Sequence, residues 1–363
     1  SVPVQAPHSI ATAMIQHKIE SPFADGLATL RWEADTQVFR KESFDYTYHF
    51  YACDETGERF VTQELANLNT AQIYNQYREK HRILFPAQIQ AMRQRYDLTA
   101  ARMSLLLDLG PNQFRQYEDG EMPSASNARL LRLASNPRTF REMVEANRAH
   151  LRPNEYTKLV NRLLELIDQE QTPIKVGGLV IGTAGSAIVE EPDQYTGYVS
   201  PDAEKFAELV LFFFHYLDNL FKVRLLKLLF YSDFYHYRLT NRAITGQRYR
   251  AIQHGPVPQE YGQRLQEMVQ RGQLKAEFHP SLVHSDNGAP VLQYKATRKP
   301  NMTVFSESER HVLAVVLQRL GRKSRREIED LSHNEKAWQD NEAQRAIISY
   351  QTYAYDLAAL QPA

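Results

Sequence analysis

The chain has 363 residues, a formal net charge of zero and a hydrophobic fraction of 43%. That length predicts two or three domains, and the neutral balance excludes a protein that holds nucleic acid by bulk charge. A lone cysteine, Cys53, excludes an intrachain disulfide, and the most apolar run, 209–221, carries His215 and Asp218 and is too short to span a bilayer.

In chain order, residues 1–13 have no hydrophobic period, and 1–18 read as a leader or tail. Residues 19–80 begin as strands: 27–32, 37–39 and 44–51 alternate and are rich in aromatic and β-branched side chains. They lie between Ser-Pro-Phe-Ala-Asp-Gly at 21–26 and a knuckle-like Cys53 to Phe60. A helix over 65–80 carries Leu68, Ile73, Tyr74 and Tyr77. Pro86 starts another, with Ile89, Met92 and Tyr96.

Residues 98–120 read as helix, tight turn, helix. Thr99 is an N-cap, Met103, Leu106 and Leu107 share a face, and Leu109 is a buried pivot between the turn residues Asp108 and Gly110. Pro111 suits a first helical turn. Phe114 and Tyr117 face inward, which leaves Asn112, Gln113, Arg115 and Gln116 outward. Asn and Gln pair with adenine edges and Arg with guanine. Between Arg78 and Arg148, basic side chains exceed acidic ones by four. Helices at 127–133 and 137–151 complete a domain at 81–152, and 153–171 is a long amphipathic helix, a candidate dimerisation or lever element.

Residues 171–201 hold several glycines and prolines. They lack the G-x-G-x-x-G spacing and a following βαβ unit, so 153–200 reads as helix and linker with a short strand or hairpin. The last domain, 201–363, is mainly helical. It has helices at 202–221 and 222–239, the latter apolar around most of its circumference and so central, and at 259–270, 306–320, 324–332 and 335–346. A short strand at 247–253 precedes a rigid loop, His254-Gly-Pro-Val-Pro258. Segments 274–278 and 291–297 pair as a small sheet. No metalloprotease, nucleophile-elbow or phosphate-loop motif occurs, so no catalysis and no cofactor are expected.

Residues 98–120, with the tail Tyr-Glu-Asp-Gly-Glu-Met-Pro-Ser, resemble the helix-turn-helix of the Xre/Cro type. Asp108 stands where that family prefers Gly, and Ser104 where it prefers Ala. Residues 19–80 resemble the zinc ribbon of MqsA/YgiT-type antitoxins. Its four ligand positions would be Ser21, Ala24, Cys53 and Thr56, of which only one offers a thiolate, so no zinc is expected. Residues 201–363 are similar to the Panacea, or SocA-like, antitoxin domain. The motifs are Lys227-Leu-Leu-Phe230 with Asp233, Ile244-Thr-Gly246 with Tyr249, Gly255 to Pro258, and His333 with Trp338.

The expected fold is therefore mainly α with a small N-terminal β-meander. Its domains are a degenerate zinc ribbon, an Xre-like helix-turn-helix, and a helical Panacea-like domain with a small sheet. The resemblance implies a type II antitoxin whose partners are a cognate protein toxin and operator DNA; the lone cysteine and the apolar run too short to span a bilayer lead to the expectation of a cytoplasmic protein with no membrane partner. A homodimer reading two half-sites would bind an operator better than one module. The expected DNA contacts are Asn112, Gln113, Arg115, Gln116 and Arg102. The expected toxin contacts are exposed aromatics and the rigid loop: Tyr231, Tyr235, Tyr249, His254, Pro256, Val257, Pro258 and Tyr261. Lys227, Asp233, Gly246, His333 and Trp338 are read as residues that fold the domain. The alternatives are a proteolytic adaptor that hands the toxin to a protease, and a plain ligand-responsive transcription regulator.

Overall fold

Four strands open the chain in sequence order: β1 (Lys18–Glu20), β2 (Leu27–Phe39), β3 (Glu42–Cys53) and β4 (Arg59–Phe60), all antiparallel. β2 and β3 pair without a break from Ala28↔Cys53 to Phe39↔Glu42. The two separate strands expected at 27–32 and 37–39 are thus one. Arg40 and Lys41 form the turn with φ of 50° and 70°. That is the backbone of a two-residue hairpin turn, made here without the usual Asn-Gly.

β4 covers only Tyr51 and Ala52 of the β3 edge. Farther along that edge, α1 (Gln63–His81) supplies side-chain amides instead. Asn69 accepts from His49 N at 2.9 Å and donates to His49 O at 2.9 Å; Gln72 does the same for Thr47, at 2.9 and 2.8 Å. Two amides three residues apart on one helix face therefore complete the ladder of a strand that would otherwise be an open edge.

The structure, a computed structural model, describes residues 15–171, 173–176, 179–183, 191–283 and 290–360. Residues 1–14 of the expected leader or tail, most of the glycine-rich 177–190 stretch, and His284 lie outside the described residues. The chain divides into two compact units, Ser1–Ile73 with Pro192–Ala363, and Tyr74–Glu191.

The second of these units is helical, with α2 (Pro86–Arg95), α3 (Ala100–Leu106), α4 (Gln113–Glu118), α5 (Ala125–Ala134), α6 (Pro137–Ala146) and α7 (Pro153–Gln171). β5 (Pro173–Val176) and β6 (Leu179–Thr183) pair as a hairpin after α7. One core holds α2 to α7 together: Ile89, Met103, Leu106, Phe114, Tyr117, Leu131, Phe140 and Leu163 are all buried. Tyr96 stacks on Phe140 at 4.5 Å and donates to Ala134 O at 2.8 Å, so its polar tip is satisfied inside that core.

The first unit continues with α8 (Ala203–Tyr216), α9 (Lys222–Thr240), β7 (Tyr249–Ile252), β8 (Gly255–Pro258), α10 (Tyr261–Gln270), β9 (Leu274–Val283) and β10 (Pro290–Ala296). It ends with α11 (Glu307–Leu320), α12 (Arg325–His333), α13 (Lys336–Gln339) and α14 (Tyr350–Tyr353). α9 is central, as its composition predicts: every residue from Leu225 to Arg238 is buried.

Two expectations change in this unit. The rigid loop at 255–258 is a strand, β8, paired with β7 from Tyr249↔Pro258 to Ile252↔Gly255. A two-stranded sheet has only edges, where prolines are tolerated. The helix expected over 335–346 shrinks to α13, because the chain leaves it to pair with β7: Ala251 N donates to Ala346 O at 3.0 Å, and Arg250 bridges Ile347.

The ribbon belongs to the same unit as these C-terminal helices. The His49 ring meets Tyr355 edge-on at 4.7 Å, the Arg238 guanidinium lies 5.1 Å over Trp32, and Asn241 Nδ2 donates to Leu68 O at 2.6 Å. Among the described residues, no helix is long and apolar enough to cross a membrane.

Candidate functional site

α3 and α4 present the first candidate surface. Thr99 Oγ1 caps α3 by accepting from Arg102 N at 3.2 Å. Asp108 sits in the turn at φ 51°, a left-handed position that glycine occupies at no steric cost. Ser104 is buried, and its hydroxyl accepts from Phe114 N at 3.1 Å. That bond joins the two helices and satisfies an orphan N–H at the start of α4. Phe114 and Tyr117 point into the core, as expected, and Leu109 is only half-buried. The Tyr117 hydroxyl accepts from Asn127 Nδ2 at 2.7 Å, which docks the first turn of α5 beside α4. Arg93 Nε meets Glu118 at 2.6 Å and fixes the other end of α4 to α2.

The five sequence-predicted residues separate on this frame. Asn112, Arg115 and Gln116 are exposed, share one face, and make no side-chain hydrogen bond among the described residues. Gln113 is turned back: its Oε1 accepts from Gly110 N at 3.2 Å and closes the turn. Arg102 is tied to α7 through Glu155 at 2.6 Å. Arg129, on α5, is exposed. Sequence reading passed it over because it lies outside the 98–120 pattern.

The second candidate site surrounds α9. Asp233 is fully buried and accepts four hydrogen bonds: Ile244 N and Thr245 N at 2.8 Å, Thr245 Oγ1 at 2.6 Å and Tyr249 Oη at 2.8 Å. Burial pushes its pKa up, and these donors oppose that push. The carboxylate thereby pins the turn at 244–246 and the start of β7 to the central helix. Gly246 takes φ 69° there, with its α-carbon against the carbonyls of Val199 and Ser200, where a Cβ would clash.

His236 does not touch Asp233 in a dyad. Its Nδ1–H donates to Arg242 O at 2.6 Å and its Nε2 accepts from Ser308 Oγ at 3.1 Å, and burial pushes its pKa down to about 4.

Lys227, 1% exposed, donates to Pro256 O at 3.0 Å. Burial lowers its pKa to about 7. A Cβ on Gly255 would lie 2.8 Å from its Nζ, which explains the glycine at φ 90°. Trp338 Nε1 donates to Ile252 O at 2.7 Å and its ring stacks on His333 at 4.1 Å. Glu335 has no role in the sequence pattern, yet its carboxylate accepts from Tyr231 Oη, Ala358 N and Ala359 N at 3.1, 2.7 and 3.0 Å. It holds the C-terminal segment against α9.

The exposure expected of the toxin contacts is not found for six of the eight. Tyr231, Tyr235 and Tyr249 are buried because they lie on or against the central helix, and Pro256, Val257 and Pro258 are buried because β8 packs between α9 and α12. Only His254 is exposed, with Tyr261 half-buried; His254 Nδ1 lies 3.7 Å from Glu329 Oε1. The aromatic motif builds the domain's interior.

At the end of β3, Cys53 is buried and accepts from Thr56 N at 3.5 Å. Hydrogen bonds from the Ser21 and Thr56 hydroxyls lower its thiol to about 7. Among the described residues, no three His, Cys, Asp or Glu side chains are grouped as a metal site.

A comparison of the chain with curated proteins gave no match. Residues 225–339, about a third of the chain, match the family described as antitoxin SocA-like, Panacea domain. That segment runs from the first buried turn of α9 to the end of α13 and contains Lys227, Asp233, Gly246, Gly255, Glu335 and Trp338, the residues that lock the domain around its central helix. It supports an antitoxin role in general terms.

Proposed function

We propose that the protein is a DNA-binding antitoxin. The 192–360 part of the first unit binds and neutralises a protein toxin encoded beside it, without catalysis, and the 74–191 unit represses their shared operon. The antitoxin reading is carried by the match over 225–339, whose motif residues are the ones that assemble the α9-centred core.

The DNA reading rests on α4. In it, α3 and α4 act as a helix-turn-helix of the Xre type. Asn112, Arg115 and Gln116 form an exposed polar face on a helix fixed at both ends by Ser104 and Arg93. These residue types match base edges in a major groove. Gln113 and Arg102 serve geometry instead, and Arg129 is a phosphate contact. A homodimer on two half-sites would supply affinity that one module lacks. The ribbon is a degenerate zinc ribbon that keeps its fold by packing and has no metal.

The test is co-expression of the full chain with each neighbouring gene product, scored by growth and followed by pull-down. Rescue of a toxic neighbour with a stable complex is the expected result. Rescue without a complex would favour an adaptor or repressor, and the absence of any toxic neighbour would defeat the antitoxin reading.

A further inference from the structure

β9 and β10 form a two-stranded sheet, and among the described residues no further strand pairs with the outer edge of β9. Thr297 N donates to Gln273 O at 3.1 Å, which sets the phase of the ladder. Lys275 and Glu277 therefore bond to β10, while Ala276 and Phe278 turn their N–H and C=O groups outward. Side chains alternate as well. Ala276 and Phe278 share a face with Leu292 and Tyr294; Lys275 and Glu277 share the other with Gln293 and Lys295. β10 lies against α8, so Leu292 and Tyr294 are half-buried, whereas residues 275–278 are all exposed. Phe278 is 67% exposed.

The charges on this strand are incompletely matched within one copy. Lys275 stands directly opposite Lys295, a like-charge pair that weakens a ladder. Glu277 meets Lys295 through Oε2 at 2.9 Å, and Lys275 has no ion pair among the described residues.

We propose that the β9 edge is a homodimer interface, taken by the same strand of a second copy running antiparallel about a two-fold axis at Ala276. Charge selects this register. It sets Lys275 against the other copy's Glu277, and the symmetry repeats the pair. Moving the axis one residue either way would set Lys275 or Glu277 against itself. In the centred register Ala276 faces Ala276 with its outward N–H and C=O bonded across the axis, and each Phe278 falls at the apolar end marked by the other copy's Leu274. Pro280, which has no N–H, ends the edge beyond Phe278. The proposal rests on the homodimer of the reading above and names its contact face.

The experiment is sedimentation of the full chain without DNA over a range of concentrations. The wild type should dimerise reversibly. Lys275→Glu should weaken the dimer about tenfold or more, and Lys275→Glu/Glu277→Lys should restore it, because the swap reinstates both pairs in this register. Phe278→Ser should weaken it too, and all three variants should keep the wild-type melting temperature. Ala276→Cys should cross-link two copies under mild oxidant, since facing Cα atoms about 5.5 Å apart suit a disulfide. A dimer indifferent to Lys275→Glu, or one that the swap fails to restore, would overturn this face while leaving the homodimer in place. A wild type that stays monomeric at every concentration would sink both. If the chain were monomeric and Phe278→Ser abolished rescue of a toxic neighbour, the edge would be a toxin contact and the proposal wrong.

Discussion

Asp233 ties the 244–249 stretch to the central helix, because four donors from Ile244, Thr245 and Tyr249 converge on it. Asp233→Asn keeps the volume but turns an amide N–H toward donors. It should destabilise the domain by about 3 kcal/mol, read as a lower melting temperature; an unchanged melt would show that the network is dispensable. The buried bases give a pH signature. His236 and His49, pushed down to about 4 by burial, are neutral in the folded chain where the unfolded chain, near 6.5, still takes up protons. Stability should therefore fall as pH drops from about 6.5 towards 4. Lys227 has the same sign in a higher window, with a folded value of about 7 against an ordinary 10.5, so its contribution rises with pH across that interval. Lys227→Met should flatten that upper rise in urea-unfolding free energy. An identical slope in the variant would contradict the burial argument.

At the scale of elements, the α3–α4 pair makes two predictions. Ser104→Ala strands the buried Phe114 N–H and should cost about 1–2 kcal/mol of stability in the 74–191 unit, a loss that chemical denaturation would detect. Asn112→Ala with Gln116→Ala should leave stability intact and reduce operator affinity by about 1–3 kcal/mol per base contact. Unchanged affinity would remove α4 from the interface.

This pair was legible in the sequence because its signals are local: a capping threonine, a helical period and turn residues. The β2–β3 hairpin was legible as strands but not as one ribbon, since Arg40 and Lys41 take left-handed conformations that their side chains do not announce. β8 was read as a loop from its two prolines, and the tyrosines of α9 as surface. Burial there is set by α11, α12 and β8, which come from distant sequence, so no local pattern encodes it. Glu335 was missed for the same reason: two of its three donors lie more than twenty residues away, and the third more than a hundred.

At the scale of the whole molecule, the N-terminal ribbon and the C-terminal helices form one compact unit although some 120 residues separate them in sequence. The His49–Tyr355 and Trp32–Arg238 contacts and the Asn241 bond to Leu68 join them. A chain lacking residues 1–62 should therefore melt at a lower temperature in its remaining C-terminal part and lose rescue. Retention of both would make the ribbon a separate module.

The central claim is direct neutralisation, and purified components test it most directly. The toxin identified by co-expression is titrated with the full chain in the absence of any protease, and its activity is followed. The account predicts that activity falls in proportion to added chain and is abolished at a fixed stoichiometry, with a complex that survives gel filtration. Undiminished toxin activity at excess chain, alongside rescue in cells, would contradict it.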